Sequence, residues 1–452
     1  MSKKLFHSLL ILGSVAFYSS CGSETSSETV TTYSTSEISP DPKCKDAPSS
    51  WFVSATTPSP DDYGPFVDSS TTSDCDFHLW SFQKFLSLTR SSGTKAPFQE
   101  LLQVSNDLEL LPSTVLSLTD ITQAGTQGTL YDKNSHAIHY AIHVNKQMYE
   151  FQKMHLSKFE ENINDLKKFG YDTLTYPVGC IEIKSSWILA SSLNGDELKK
   201  YYVTKANLGA PQGEIANVDV ALLGMHIVGR VVNHPELIWA TFEHDYLAPD
   251  YNWSTGKDTT TKIVSDENFL FYNAKTPVDS CPMNNKQGSP AKFTNVFNMF
   301  KYGMAQSFTQ NNLPSHKDSV NNANITALNA SVKKQLQPLS GPWKNYFYKG
   351  ATWIEDSTLP SFGPGKGYLG VLNNPFLRGS RAISNITMET FAQLNFSGIY
   401  ATGSMNCFGC HGTVDYKNGK TQNDSVSYNL ALSHLFINAL LHKLHPSSPK
   451  TP

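Results

Sequence analysis

Five residues near the C terminus, Cys407-Phe408-Gly409-Cys410-His411, carry the most specific chemistry in the chain. Two thiols two residues apart can both be presented from one helical turn. The histidine that follows at once can bring its imidazole beneath whatever those thiols hold. This is the spacing for covalent haem attachment: Cys407 and Cys410 each add across one vinyl group, and His411 ligates the iron from the proximal side. The competing uses are a thioredoxin-like redox pair or half of a zinc site. A second C-x-x-C is absent, and no strand–helix–strand pattern surrounds this one. One covalent haem c is therefore the expected cofactor.

The position of the motif narrows what kind of haem protein this is. In a small soluble (class I) cytochrome c the motif lies near the start of the domain and a methionine well downstream supplies the sixth ligand. Here 41 residues follow His411 and none is Met; the last methionine is Met405. A class I domain does not fit, and upstream segments must build much of the pocket. His434 on a terminal helix could give bis-His ligation, Met388 could swing over the ring from just before the motif, and His226 or His244 could reach in from central strands. The remaining possibility is an open iron that takes a small molecule. Outside the haem, Glu243-His244-Asp245 is the best acid–base candidate, since a carboxylate beside an imidazole tunes a proton donor. Neighbours on a strand point to opposite faces, however, so a structural role for this cluster is the stronger reading. His136, His139 and His143 have near-helical spacing that invites a metal site, but the Ile, Tyr and Val between them favour a strand.

The N terminus says where the chain works. Lys3 and Lys4 precede an apolar stretch over residues 5–17, too short to span a bilayer. It ends in Tyr18-Ser19-Ser20-Cys21-Gly22, which reads as a lipoprotein cleavage box with Cys21 as the acylated residue. Tyr18 departs from the usual Leu. Several acyl chains would hold the protein on a membrane, and Gly22 suits export to the outer membrane of a Gram-negative envelope, periplasmic or surface-facing. Residues 1–20 are thus a signal peptide, and 21–74 a Ser/Thr-rich tether too polar to fold. An α+β body over 75–380 and a haem-attachment segment over 381–452 follow. Export agrees with haem attachment, and an oxidising compartment favours pairing of the other cysteines, Cys44 with Cys75 and Cys180 with Cys281. A net charge of −3 argues against a nucleic-acid surface.

The elements that must position the motif are legible from periodicity. Helical spacing covers residues 77–88, 98–104, 148–169, 295–308, 325–336 (with Asn324 as N-cap), 385–393 and 425–444. Strand character covers 130–143, 180–189, 200–204, 218–232, 237–244 and 346–354, with Gly224 and Gly229 marking a bulge or bend. A Gly- and Pro-rich loop covers 361–374. The fold class expected is α+β: a largely antiparallel sheet or sandwich, flanking helices, and a C-terminal helical segment for the haem.

Several segments together carry a resemblance. They are His78-Leu79-Trp80-Ser81-Phe82, Gly179-Cys180-Ile181-Glu182-Ile183-Lys184-Ser185-Ser186-Trp187, Leu223-Gly224-Met225-His226-Ile227-Val228, Ile238-Trp239-Ala240-Thr241-Phe242-Glu243-His244, Gly341-Pro342-Trp343-Lys344-Asn345-Tyr346 and Ile386-Thr387-Met388-Glu389-Thr390. In order and spacing they resemble exported bacterial proteins grouped as a monohaem cytochrome c family, from about residue 77 onward. The resemblance implies one haem and an architecture shared along the whole body, and it carries no reaction. Ser185-Ser186 stands where the others have an Ala pair. The function expected is a lipid-anchored monohaem c-type cytochrome passing single electrons to a partner protein. The alternative is a haem-dependent oxidoreductase, or a haem protein that binds a small ligand at an open iron.

Overall fold

The computed structural model describes residues 38–62, 64, 72–90, 93, 95–112, 114–123, 128–161, 175–209, 214–252, 262–281, 293–303, 315–354, 377–392, 406–411, 430 and 432–444. In chain order these form α1 (Pro42–Lys45), α2 (Asp74–Thr89), β1 (Leu102–Val104), β2 (Leu116–Leu118), β3 (His139–Val144) and α3 (Lys146–Glu161). There follow β4 (Ile181–Leu189), α4 (Gly195–Leu198), β5 (Val203–Leu208), β6 (Ile215–Val231), β7 (His234–His244) and α5 (His316–Leu336). The last are β8 (Tyr346–Ile354), β9 (Leu377–Gly379), α6 (Cys407–Cys410) and α7 (His434–Leu444). The chain is mixed α+β with a large antiparallel sheet, as its patterning implied.

Among the described residues the strands make one nine-stranded sheet in the order β1-β3-β4-β6-β7-β8-β9. Every neighbour on that path is antiparallel. The 17-residue β6 also takes β5 along its first half, and β2 runs parallel to β5. The ladder register shifts where Gly224 and Gly229 lie, between Ser186 and Trp187 on β4 and between Gly229 and Val231 on β6. At Gly224 a Cβ would stand 2.9 Å from the Asn385 Nδ2 and 3.0 Å from the Phe242 carbonyl oxygen, so only hydrogen fits.

The sheet is covered on both faces. On the first, α2 and α5 press Phe77, Trp80, Phe82, Phe85, Ile325 and Leu328 onto Ile183, Ile227, Phe242 and Trp353. On the second, α3, α6 and α7 bury Met148, Phe408, Leu435 and Phe436 against Val144, Val228, Trp239 and Ile354. At the other end of that face Ile386, Met388 and Phe391 pack on Tyr140, Ile188 and Leu223. Between these apolar ends lies a polar middle, where Lys184, Ser186, His226, Thr241 and Glu243 meet the segment 384–391.

The body extends further toward the N terminus than residue 75. It begins at Ile38, and Ala47 and Trp51 are buried in the core of the first face. The Cys44–Cys75 disulfide, with Cα atoms 5.7 Å apart, ties α1 to α2. The pairing expected of Cys180 with Cys281 does not occur. Both are buried free thiols in separate clusters, Cys180 with Val228 and Trp239, Cys281 with Phe297 and Phe300. Residues 1–37, with Cys21, and the 361–374 loop lie outside the described residues.

Four helix expectations change for physical reasons. Over 295–300 the chain is extended, because Val296 N–H and Asn298 N–H donate to the Phe271 and Pro249 carbonyls instead of closing a helical turn; residues 304–308 lie outside the described set. Over 385–392 there is a turn and a short 3-10 segment (Thr390–Ala392), since the Asn385 side chain captures the Thr387 N–H at 3.0 Å. Residues 98–104 split into a 3-10 turn and β1. The fifth helix starts at His316 rather than Asn324, because Ser315 and Asp318 form a reciprocal cap, 3.2 Å and 2.8 Å, well upstream. Among the described residues no helix is long and apolar enough to cross a membrane.

Candidate functional site

α6 is a single turn laid on the second face, closed by the His411 N–H donating to the Cys407 carbonyl at 2.7 Å. Phe408 anchors it, buried with Trp239 of β7 and with Leu432, Leu435 and Phe436 of the α7 region. Cys407 is half-buried on that turn; the Cys410 side chain is outside the described set. The turn thus presents the motif at the edge of an apolar cluster, against the polar middle of the sheet face.

His411 is held by one hydrogen bond and two ring contacts. Its Nδ1 lies 2.7 Å from the Leu432 carbonyl oxygen. A carbonyl only accepts, so Nδ1 carries the proton and Nε2 keeps its lone pair. The imidazole packs on Trp239, centroids 4.2 Å apart at 44°, and stacks on His434, centroids 3.9 Å apart at 17°. Burial, then the neighbouring His434, hold its pKa well below the ordinary histidine value. His434 stands beside His411, face to face, not across from it.

Two polar groups lie close to this pair. Glu182 of β4 accepts from Ser433 Oγ at 2.8 Å. Ser433 in turn receives Gln152 Nε2 at 2.8 Å, and Gln152 also reaches Tyr176 OH at 3.2 Å. Tyr176 donates to the Leu430 carbonyl at 3.1 Å. Burial pushes the Glu182 carboxyl up to about 7, against the hydrogen bond from Ser433. Next, His226 of β6 pairs with Glu389 at 2.9 Å, and Glu389 also accepts the Asn385 N–H at 2.7 Å. Burial opposes ionisation of Glu389, but His226 and that N–H outweigh it and hold the carboxyl below the usual range. Further along β6, two residues beyond Val228, Arg230 lies on the same sheet face.

The other expected residues are placed elsewhere. Met388 is fully buried with Leu130, Leu223 and Phe391. His244 stacks on Tyr201 at 3.6 Å and donates to the Lys200 carbonyl at 3.2 Å, and burial brings it down to about 3. Glu243 points to the opposite face, where Lys349 Nζ at 2.8 Å and the Ile386 N–H at 2.8 Å satisfy it. Asp245 pairs with Lys333. The carboxylate–imidazole cluster is therefore divided among three environments. His139 and His143 lie on β3, the first against the Leu118 carbonyl at 3.1 Å and the second edge-on to Phe98, while His136 meets Asp132. No cluster of three or more metal-ligating side chains occurs among the described residues.

Sequence reasoning passed over Glu182, Lys184, Trp239, Glu389 and Arg230 as site residues. The available signal was polar side chains at alternate positions of β4 and β6, strands whose neighbours on both sides mark them as internal. Comparison with protein-family models, curated proteins and solved structures gave no match.

Proposed function

We propose that this chain is a monohaem c-type cytochrome of the cell envelope, with haem c held through Cys407 and Cys410 and His411 as the proximal iron ligand. The observation that carries the reading is the Nδ1–H of His411 donated to the Leu432 carbonyl at 2.7 Å. That bond leaves Nε2 as the ligating atom and fixes the ring plane, the second-shell arrangement a metal-bound histidine requires. The residues fit the group: a helical turn for the thiols, a ligand of the correct tautomer, and an apolar wall from Trp239 and Phe408. Bound, the haem supplies a one-electron couple. The chain orients the ligand through Leu432, keeps water from one side of the site with Trp239 and Phe408, and sets nearby charge with Glu182, Lys184 and the His226–Glu389 pair. The attachment turn packs on a sheet with α7 beside it, which supports an arrangement other than a class I cytochrome domain. Lipidation at Cys21 would tether the body to the membrane, so electron transfer to a partner protein at the envelope is its use.

A second reading is favoured by one observation. The His226–Glu389 pair is half-buried and close enough to bear on the charge of His411, so it could donate a proton to a small molecule at an open iron. A haem-dependent oxidoreductase or ligand-binding haem protein would use it so. Acid–acetone extraction tests the main claim: colour must stay with the protein, and a colourless pellet sinks it. Ferric and ferrous spectra with cyanide and carbon monoxide separate the two uses. An unresponsive low-spin spectrum leaves electron transfer, and a ligand-shifted Soret band supports the second reading.

A further inference from the structure

Among the described residues, the buried cations are satisfied with one exception. Lys84 reaches Ser59 and Asp62. Lys349, 1% exposed, reaches Glu243 and Asn298. Arg381 grips Asp318 with two nitrogens, and Arg90 donates to the carbonyls of Trp51 and Ser54. Among the described residues, Arg230 is the only cation with buried nitrogens that make no hydrogen bond: its Nε and Nη1 have no partner. A half-buried guanidinium with two nitrogens shut off from both water and partners requires an explanation, and a missing anion is the simplest.

Its surroundings do not supply that anion. The Arg230 backbone is pinned at both ends, its N–H to the Cys180 carbonyl and its carbonyl to the Gly179 N–H, each at 2.9 Å, so the stem cannot drift to solvent freely. Glu236 is the carboxylate that bears on it. That oxygen is already engaged by His234 Nδ1 at 2.6 Å and the Ile354 N–H at 3.0 Å. Burial pushes the Cys180 thiol up to about 12, which leaves it neutral. Arg230 shares its sheet face with Val228, whose cross-strand partner is Trp239, the indole on which His411 packs.

We infer that Arg230 is the counter-cation for a carboxylate that arrives with the prosthetic group, a haem propionate. The inference rests on the haem reading above. Attachment through Cys407 and Cys410 consumes the vinyl groups and leaves two carboxylates as the charged groups of the macrocycle's periphery. A guanidinium matches a carboxylate with two parallel N–H donors, a geometry that a lysine cannot reproduce.

The test compares Arg230→Met and Arg230→Lys in two backgrounds, the wild-type chain and a Cys407→Ala/Cys410→Ala chain that cannot attach haem. With haem attached, Arg230→Met lowers the melting temperature. In spectroelectrochemistry it shifts the midpoint potential to more negative values, because a buried positive charge no longer opposes the oxidised iron; Arg230→Lys shifts it less. Without attachment, Arg230→Met leaves the melting temperature unchanged or raises it, since the unmet charge is gone. A change of the same sign in both backgrounds, or an attached-haem potential indifferent to Arg230→Met, overturns the inference. Melting the non-attaching chain with added acetate or succinate checks the other source of a carboxylate. Stabilisation that depends on Arg230 there assigns the site to a free acid and overturns the propionate. A colourless wild-type protein removes the haem reading and this inference together, whereas a coloured protein indifferent to Arg230 removes only the latter. If Arg230→Met does not fold, the potential of Arg230→Lys still decides.

Discussion

On one face of the sheet Phe85 stacks on Phe242 at 4.1 Å and Phe77 on Trp353 at 4.2 Å, under two helices whose buried polar groups, among them His78, Asn321 and Asn329, are tied by hydrogen bonds to one another and to β8. On the other, two apolar ends are separated by Lys184, Ser186, His226, Thr241 and Glu243, and the C-x-x-C-H turn sits where the polar middle meets one of those ends. The first face is what makes a stable sheet: aromatic pairs at close packing, with the buried polar groups of its helices hydrogen-bonded in place. The second accepts buried ion pairs and hydrogen-bonded hydroxyls. These contribute less stability per residue than apolar packing but position groups that can carry charge. The difference suggests a division of labour, with folding energy concentrated on one side and chemistry on the other.

That division can be broken by mutation. Phe242→Ala removes the centre of the first face and is expected to cost about 3–5 kcal/mol in denaturant unfolding, with the absorption spectrum of the folded fraction unaltered. A spectral change in folded Phe242→Ala would show that the faces are coupled. Reduction of Cys44–Cys75, or Cys44→Ala, releases the strap that holds α1 on α2. It is expected to lower stability by roughly 2–4 kcal/mol, again without spectral effect; equal melting with and without reductant would count against that role. On the second face the order of effects reverses. Trp239→Leu is expected to cost only about 1–2 kcal/mol yet to move the haem absorption bands, because the His411 imidazole loses the surface it lies on. An unchanged spectrum would detach Trp239 from the site.

The smallest effect sharpens the comparison most. Glu182 is raised by burial from 4.5 to about 7, so the folded protein holds a proton there that the unfolded chain releases at lower pH. Its contribution to stability is therefore present below about 4.5 and is lost as pH rises through about 7. Glu182→Gln should flatten that part of the stability–pH curve by on the order of 1 kcal/mol, a figure reduced for partial exposure. The wild-type and variant curves should converge at low pH; parallel curves between pH 4 and 8 would contradict the assignment.

Much of the scaffold was legible because its signals are local. The eighth strand matches its expected bounds, 346–354, end to end, and 181–189 and 234–244 appear as strands where β-branched and aromatic residues cluster. Where the reading failed, side chains had captured backbone donors. Asn385 did so in the segment before the motif and Ser315 did so ahead of α5, and such captures depend on geometry as well as composition. Cysteine pairing was legible for Cys44 and Cys75, which lie on consecutive helices. It was not legible for Cys180 and Cys281, because thiols assigned to different clusters cannot meet.

What the sequence by itself determined is the motif on which the proposed haem attachment rests. The spacing of Cys407, Cys410 and His411 is a property of one helical turn, set by the 3.6-residue period whatever surrounds it. What only the tertiary structure decided is the company that turn keeps. Leu432 fixes the tautomer of His411, Trp239 lies under its ring, His434 stacks beside it, and Arg230 waits on the same face with two unmet nitrogens. These residues come from different strands and a different helix. Register decides which of them share a face, since a one-residue slip along a strand turns every side chain to the other side of the sheet.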